Sequence, residues 1–254
     1  MDKSVELVIE LNGLHFAYDE KTSVLEDINL KVRKGERIGI IGANGAGKST
    51  LFKLLTGLLT GRGEVMIKGT KLEKKTLCEI RKRMGLVLQD SDNQLFMPTL
   101  FDDMAFGPRN YGKSKEETEI AVNKALGMLG IEELKYRSCM RMSGGEKRMA
   151  AIATILAMEP EIILMDEPSI TLDPYNRRNL INNLNEMDQT LLIASHDLDM
   201  ILETCERVIL IDNAKITADG RAEDILSDKE LLEQCHLELP LCFQQAMPYN
   251  RDSN

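Results

Sequence analysis

Ile38-Gly39-Ile40-Ile41-Gly42-Ala43-Asn44-Gly45-Ala46-Gly47-Lys48-Ser49-Thr50-Leu51-Phe52 is the stretch that decides how this 254-residue chain folds. Residues 38–41 form a short apolar run of the buried-strand kind, glycines break it, and Leu51, Phe52, Leu54 and Leu55 then recur at helical spacing. Strand, glycine-rich loop, helix is the context in which G-x-x-x-x-G-K-[ST] acts as a phosphate cradle, and residues 42–50 fit that pattern. The glycines let the backbone curl so that successive amides face the phosphates. Lys48 reaches the outer phosphates as a point charge, and Ser49 offers a hydroxyl to Mg²⁺. The expected nucleotide-binding residues are therefore Gly42, Asn44, Gly45, Ala46, Gly47, Lys48, Ser49 and Thr50, a set that leaves the kind of NTPase open.

On the N-terminal side, residues 7–11 and 14–16 read as strands, and Ile28, Leu30 and Val32 alternate with polar neighbours as in a half-buried antiparallel sheet. Residues 63–67 and 85–88 read as further strands. From 89 to about 158 the pattern turns to helices and loops, with a capping box at Ser114 and Glu117. Buried-strand runs resume at 162–165, 191–194 and 208–211, with a helix between the first two opened by Asp173 as N-cap and Pro174 at its first position. A second capping box, Ser227 with Glu230, is expected to start a last helix. Residues 242–254 read as a polar, loosely held tail.

The chemistry collects at strand ends. Ile162-Ile163-Leu164-Met165-Asp166-Glu167 delivers two adjacent carboxylates to the carboxyl edge of a buried strand, where open α/β sheets bind ligands. Asp166 is suited to hold Mg²⁺ through water, and Glu167 to orient the attacking water or accept its proton. Read without the phosphate cradle, the pair is better taken as solvated loop acids. Gln89 follows the 85–88 strand and His196 follows the 191–194 strand, so both are expected at the same edge. An amide can hold water and metal there, and an imidazole can bridge a γ-phosphate to a neighbouring loop.

Ser143-Gly144-Gly145-Glu146 has two compatible readings. Ser at an N-cap with Glu three residues on is a capping box, and Met149, Ile152, Ala153, Leu156 and Ala157 continue the helix. A helix start that exposes two glycine amides and a hydroxyl is also an anion site.

Bulk properties narrow the field. A net charge of −9 argues against a nucleic-acid footprint, which needs clustered basic surface. The five cysteines are scattered without C-x-x-C spacing, so neither a disulfide framework nor a zinc site is indicated. No apolar run is long enough to span a bilayer and Met1-Asp2-Lys3 lacks a signal-peptide pattern, so a cytosolic setting is expected.

In order and spacing, residues 42–50, Gln89, residues 143–146, Asp166-Glu167, residues 169–173 and His196 resemble the nucleotide-binding subunits of ATP-binding cassette (ABC) transporters over nearly the whole chain. The resemblance implies an α/β fold: a P-loop (RecA-like) core, an N-terminal antiparallel β subdomain and an inserted helical subdomain. Residues 1–88 and 160–241 would form the core and β subdomain, and residues 89–159 the insertion. It further implies ATP and Mg²⁺ as ligands, with Ser49, Gln89 and Asp166 at the metal and Glu167, His196 and Gln89 serving hydrolysis. In such proteins two subunits pair head to tail, so Ser143, Gly144, Gly145 and Glu146 would act on the partner's ATP, and Asp173 would lie in the loop through which the two sites communicate. Tyr18 stands where the family stacks an aromatic on adenine, while its residue-level alternative is a strand-core aromatic. Two departures are visible: Ser169-Ile170-Thr171-Leu172 is bulkier than the family's Ala-Gly or Ser-Gly middle, and Met142 replaces the common Leu before the signature serine.

Residues 89–108, with 146–160, are similar to the energy-coupling factor (ECF) importers, and within them to the cobalt and nickel group. That likeness implies a second ATPase subunit, an ECF transmembrane subunit and a substrate-binding membrane subunit as partners, and a peripheral position on the cytoplasmic face. Phe96, Phe101 and Phe106, beside Met97, Leu100 and Met104 and near Asp90, Asp92, Asp102 and Asp103, could form an acid-rimmed apolar groove for an arginine-bearing helix, or a small subdomain core with solvated acids. A soluble cassette ATPase acting on DNA or ribosomes, or a small-molecule P-loop kinase, are the competing classes. The first would need a long insertion or a second cassette, and the second would leave 143–146 and His196 unexplained.

Overall fold

A computed structural model describes residues 6–19 and 22–244. Strands β1 (Leu7–Ala17) and β2 (Ser23–Arg33) pair antiparallel. β3 (Arg37–Ile41) runs into the glycine-rich loop and α1 (Lys48–Leu55). β4 (Arg62–Ile67) and β5 (Thr70–Lys71) follow, then α2 (Leu77–Arg83) and β6 (Met84–Val87). The next elements are all helical: α3 (Leu100–Asn110), α4 (Lys115–Leu129) and α5 (Gly144–Leu156). β7 (Ile162–Asp166), α6 (Pro174–Glu186), β8 (Thr190–Ala194), α7 (Leu198–Thr204), β9 (Arg207–Asp212), β10 (Lys215–Arg221), α8 (Ala222–Ser227), α9 (Lys229–Gln234) and α10 (Leu241–Gln244) complete the chain.

Two sheets result. The first is antiparallel in the order β2-β1-β4-β5; the second runs β10-β9-β3-β8-β7-β6, parallel except for its β10 edge. The parallel strands of the second sheet are buried on both faces, which is why they read as unbroken apolar runs and not as alternations. Ile38 and Ile40, Ile162 and Leu164, Leu192 and Ala194, and Ile209 and Ile211 face the core shared with the first sheet and α1. Their neighbours Ile41, Ile163, Met165, Leu191, Ile193, Val208 and Leu210 face the core shared with the helices. Each fully buried aliphatic side chain of this kind contributes roughly 1.5–3 kcal/mol.

Several local expectations need correction. Residues 7–17 form one strand, not two, and it keeps its pairing through register shifts around Leu11, Leu14 and Phe16. Ser227 does not cap the last expected helix. It ends α8, and Asp228 caps α9 by accepting from the Leu231 N–H, because a carboxylate one residue closer reaches the free amide first. The first turn after residue 240 is held, since Asp199 accepts from the N–H groups of both Leu241 and Cys242. The rest of the expected tail, 245–254, lies outside the described residues. β10, α2 and α8 carry no strong apolar periodicity and escaped the reading.

Candidate active site

The carboxyl ends of β3, β6, β7 and β8 gather at one edge of the second sheet. A cleft of about 260 Å³ opens there, lined by Tyr18, Val24, the loop 44–50, Gln89, Asp166, Glu167 and His196. The sequence-predicted residues from five separate segments therefore meet in one place. Ser143, Gly144, Gly145 and Glu146 do not line it.

The loop is built by backbone geometry only glycine tolerates. Gly42 has φ +150°, and a Cβ there would lie 2.2 Å from the Ile211 carbonyl oxygen of β9; Gly47 has φ +105°, and its Cβ would meet the Val24 carbonyl oxygen at 2.9 Å. Both glycines let the loop lie directly on neighbouring strands. Lys48 is buried, and its ammonium donates to the carbonyl oxygens of Gly42 at 2.6 Å and Ala43 at 3.1 Å. Burial pushes the Lys48 ammonium below the ordinary lysine value, with the Glu167 and Asp166 carboxylates working in the opposite direction.

Glu167 leaves β7 in the left-handed region, φ +52°, a conformation that costs a non-glycine residue about 1–2 kcal/mol. Its N–H still donates to Ala194 O at 2.8 Å, so the strain turns the side chain without breaking the ladder. One carboxylate oxygen accepts from Ser195 Oγ and the His196 N–H, each at 3.2 Å; the other lies 3.3 Å from His196 Nε2. That ring nitrogen is also 3.3 Å from Lys48 Nζ. A single nitrogen between an ammonium and a carboxylate can accept from the first or donate to the second, and it exchanges those roles with its proton.

Tyr18 is exposed beyond the end of β1, not packed in a strand core. Its ring and that of Phe16 meet nearly perpendicular with centroids 4.9 Å apart, and its hydroxyl is 3.2 Å from Thr50 Oγ1. An exposed ring face beside the cradle is what stacking on a planar base requires. Ser49, Gln89 and Asp166 supply a hydroxyl, an amide and a carboxylate to the same cleft. That sparse oxygen set fits Mg²⁺, which keeps water and phosphate oxygens in its shell. Among the described residues no group of three or more His, Cys, Asp or Glu side chains could hold a metal by itself.

The capping reading of the 143–146 turn is seen directly. Ser143 Oγ accepts from the Glu146 N–H at 3.3 Å and Glu146 accepts from the Ser143 N–H at 2.7 Å, completing the capping box that starts α5. Those bonds and Arg137 hold the Glu146 carboxyl below the usual range. Ser143 and Gly144 remain exposed. Gly145 packs closely on the Thr171 carbonyl, so the turn leans on the 169–172 loop. Thr171, one of the bulky departures, sits at φ +67°, an unusual conformation for a β-branched residue. Asp173 caps α6 as expected, its carboxyl held low by the Asn176 N–H and side-chain amide.

The acids near Phe96 resolve largely against a charged rim. Asp103 is buried and accepts from the N–H groups of Phe96 and Met97 and from the Cys139 thiol. Asp102 bonds Thr99, the cap of α3, and Asp90 caps the turn at residues 91–93. Asp92 alone borders the hollow of about 590 Å³ formed with Leu95, Phe96, Met97, Pro98, Ser138, Cys139, Met140 and Lys147, and there it pairs with Lys147. The expected apolar set divides: Phe96 and Met97 line the hollow and Phe96 and Phe106 are exposed and meet edge-to-face, whereas Leu100 and Met104 are buried in the core and Phe101 packs against it; Met140, also exposed, joins the hollow instead.

Comparison with known proteins agrees with this geometry. Residues 25–170 match the family model described as ABC transporter. The energy-coupling factor transporter ATP-binding protein EcfA of Methanocaldococcus jannaschii is 43% identical over 92% of this chain and 86% of its own length. The structure of cbiO1 from Clostridium perfringens, described as part of the ABC transporter complex cbiONQ, superposes with TM-score 0.80 at 31% identity, covering 94% of this chain and 98% of that one. The dimeric post-hydrolysis structure of the ATP-binding cassette MJ0796 with ADP and Pi superposes with TM-score 0.77 at 26% identity, over 84% of this chain and 98% of that one. Phosphate cradle, acidic strand end and detached glycine turn thus sit on a shared architecture, and the chain belongs to the ABC transporter family as an ATP-binding, ATP-hydrolysing subunit that works with Mg²⁺.

Proposed function

We propose that this chain is the motor subunit of an ECF-type importer whose cargo is a transition-metal ion, cobalt or nickel. The observation that carries the motor role is the division of the site: the cradle 42–50, Gln89, Asp166, Glu167 and His196 share one cleft, while the exposed turn 143–146 lies outside it and needs a second copy or a paralogue to meet a phosphate. In this reading the amides of 44–47 and Lys48 hold the phosphates, Tyr18 stacks on adenine, and Gln89 and His196 contact the γ-phosphate region. Glu167 takes the proton of the attacking water as it adds to the γ-phosphorus, and ADP leaves. Bound Mg²⁺, held by Ser49, Gln89 and Asp166, would neutralise charge on the phosphate oxygens. Asp173, at the start of α6, would relay between the two sites.

Residues 89–159 act as the helical subdomain inserted between 1–88 and 160–241, and its apolar hollow around Phe96 and Met140 receives a helix of the transmembrane subunit. The chain then sits peripherally on the cytoplasmic face, held by its partners; no described helix is long and apolar enough to cross a membrane. Similarity to EcfA and to cbiO1 supports the importer branch. The metal rests on the likeness of residues 89–108 and 146–160 to the cobalt and nickel group.

Co-expression with the genes that flank it, followed by uptake of labelled Co²⁺, Ni²⁺ and vitamins in the presence and absence of Glu167→Gln, tests the whole reading. Glu167-dependent uptake of either ion is expected. Vitamin uptake alone would replace the cargo, and no ATP-dependent transport at all would leave a cassette ATPase of another kind.

A further inference from the structure

Arg148 is the largest fully buried side chain among the described residues, and every hydrogen bond it makes goes to a backbone carbonyl. It lies in α5, one turn beyond the Ser143 cap. Its Nε donates to Pro168 O at 3.1 Å, one terminal nitrogen to Leu88 O and to Gln89 O at 3.3 Å, and the other to Asp166 O. Those acceptors are the last carbonyls of the β6 segment carrying Gln89, the last of β7, and the turn just after Glu167. Strand ends at the open edge of a sheet leave such carbonyls without ladder partners, and a planar fork of five N–H groups is the one side chain that can serve three segments at once.

An apolar residue would fill this position on the buried face of α5 at far lower desolvation cost, since a buried guanidinium is expensive unless fully bonded and neutralised. Burial pushes the Arg148 guanidinium down to about 10 from its ordinary value of 12.5, and the Asp166 and Glu167 carboxylates, neither of them bonded to it, work in the opposite direction and favour the charged form. The chain thus places a cation directly behind its own acidic pair and anchors it to the helix that begins at the signature turn.

We propose that Arg148 is a positioning residue for hydrolysis, holding Gln89 and the Asp166-Glu167 pair in fixed register with each other and with α5. This rests on the roles given to those three residues above. Arg148→Gln removes the charge and most of the fork, and Arg148→Lys keeps the charge and part of the bonding. Turnover by purified protein and the affinity for a fluorescent ATP analogue measured without Mg²⁺ are read for both variants, with a thermal melt as a check on folding. The expected result is a 10–100-fold loss of kcat in Arg148→Gln, as is typical when a supporting partner of a reactive group is lost, roughly half of it in logarithmic terms restored in Arg148→Lys, and analogue affinity within about threefold of wild type in both. Wild-type kcat in Arg148→Gln overturns the proposal, and so does a parallel fall of kcat and affinity. If Arg148→Gln does not fold, Arg148→Lys decides by the same split, and failure of both to fold assigns Arg148 to stability alone. Glu167→Gln run alongside separates the premises: wild-type turnover there removes the role given to Glu167, whereas Arg148 is judged on its own kcat and affinity.

Discussion

Glu167 and His196 touch twice, through the His196 N–H at 3.2 Å from one carboxylate oxygen and through Nε2 at 3.3 Å from the other. With Ser195 Oγ also on the carboxylate, the acid is held by the strand-end segment that follows β8 and cannot swing away from the cradle without releasing that segment. Position and proton-accepting capacity are therefore separable by substitution.

Glu167→Gln keeps the shape and the Ser195 contact while removing the basic oxygen. Turnover should fall by about 10²-fold or more, with ATP still bound and the dimer accumulating in its closed form. Steady-state phosphate release and light scattering in ATP check this, and hydrolysis at the wild-type rate would refute the assignment.

The separation of the 143–146 turn from its own cleft predicts complementation. Lys48→Ala and Ser143→Arg should each be inactive alone. In an equimolar mixture half the dimers are mixed and carry one intact site of two, so about a quarter of the wild-type rate should return. A mixture as inactive as its components would mean that the turn serves its own chain.

Asp103 and Phe96 should behave oppositely. Asp103→Ala leaves two part-buried backbone N–H groups without their acceptor and should lower stability by about 1–3 kcal/mol in urea denaturation. Phe96→Ser, at an exposed ring, should change stability by no more than about 0.5 kcal/mol yet weaken recovery of a co-expressed transmembrane subunit. Equal stability loss in the two variants would contradict the buried role of Asp103.

Cys205 carries an alkaline liability. Burial pushes its thiol up to about 12 from an ordinary value of 9.0. Above pH 9 the unfolded chain releases a proton that the folded chain retains. This contribution is whole below pH 9 and declines by up to about 1.4 kcal/mol per pH unit until the folded thiol ionises. Urea midpoints from pH 8 to 10 should fall less steeply for Cys205→Ala than for wild type; parallel curves would sink the idea.

How much of this was legible beforehand follows from the kind of signal each residue carries. Residues 38–52 and 162–167 announce themselves because burial on both faces demands unbroken apolar runs, and because a phosphate cradle demands glycine at set positions. β10 was missed because it is a half-exposed edge strand, Lys215–Arg221, with a bulge between Ile216 and Ala218 and little apolar content. The acids near Phe96 were misjudged because composition cannot tell a carboxylate facing solvent from one that receives two amides in a loop, as Asp103 does. Arg148 was within reach: it lies four residues before Ile152 on the same buried stripe as Met149, and a charge on such a stripe asks for a partner.

The reciprocal bonds between Ser143 and Glu146 bear on binding entropy. A loop that had to order around a γ-phosphate would lose its conformational freedom at the moment of contact and weaken the closed state accordingly. Here the amides of Gly144 and Gly145 are already fixed by a cap internal to the chain, so in the proposed dimer that loss would be incurred once, on folding, and the energy of each ATP-driven closure would stay available to move the partners.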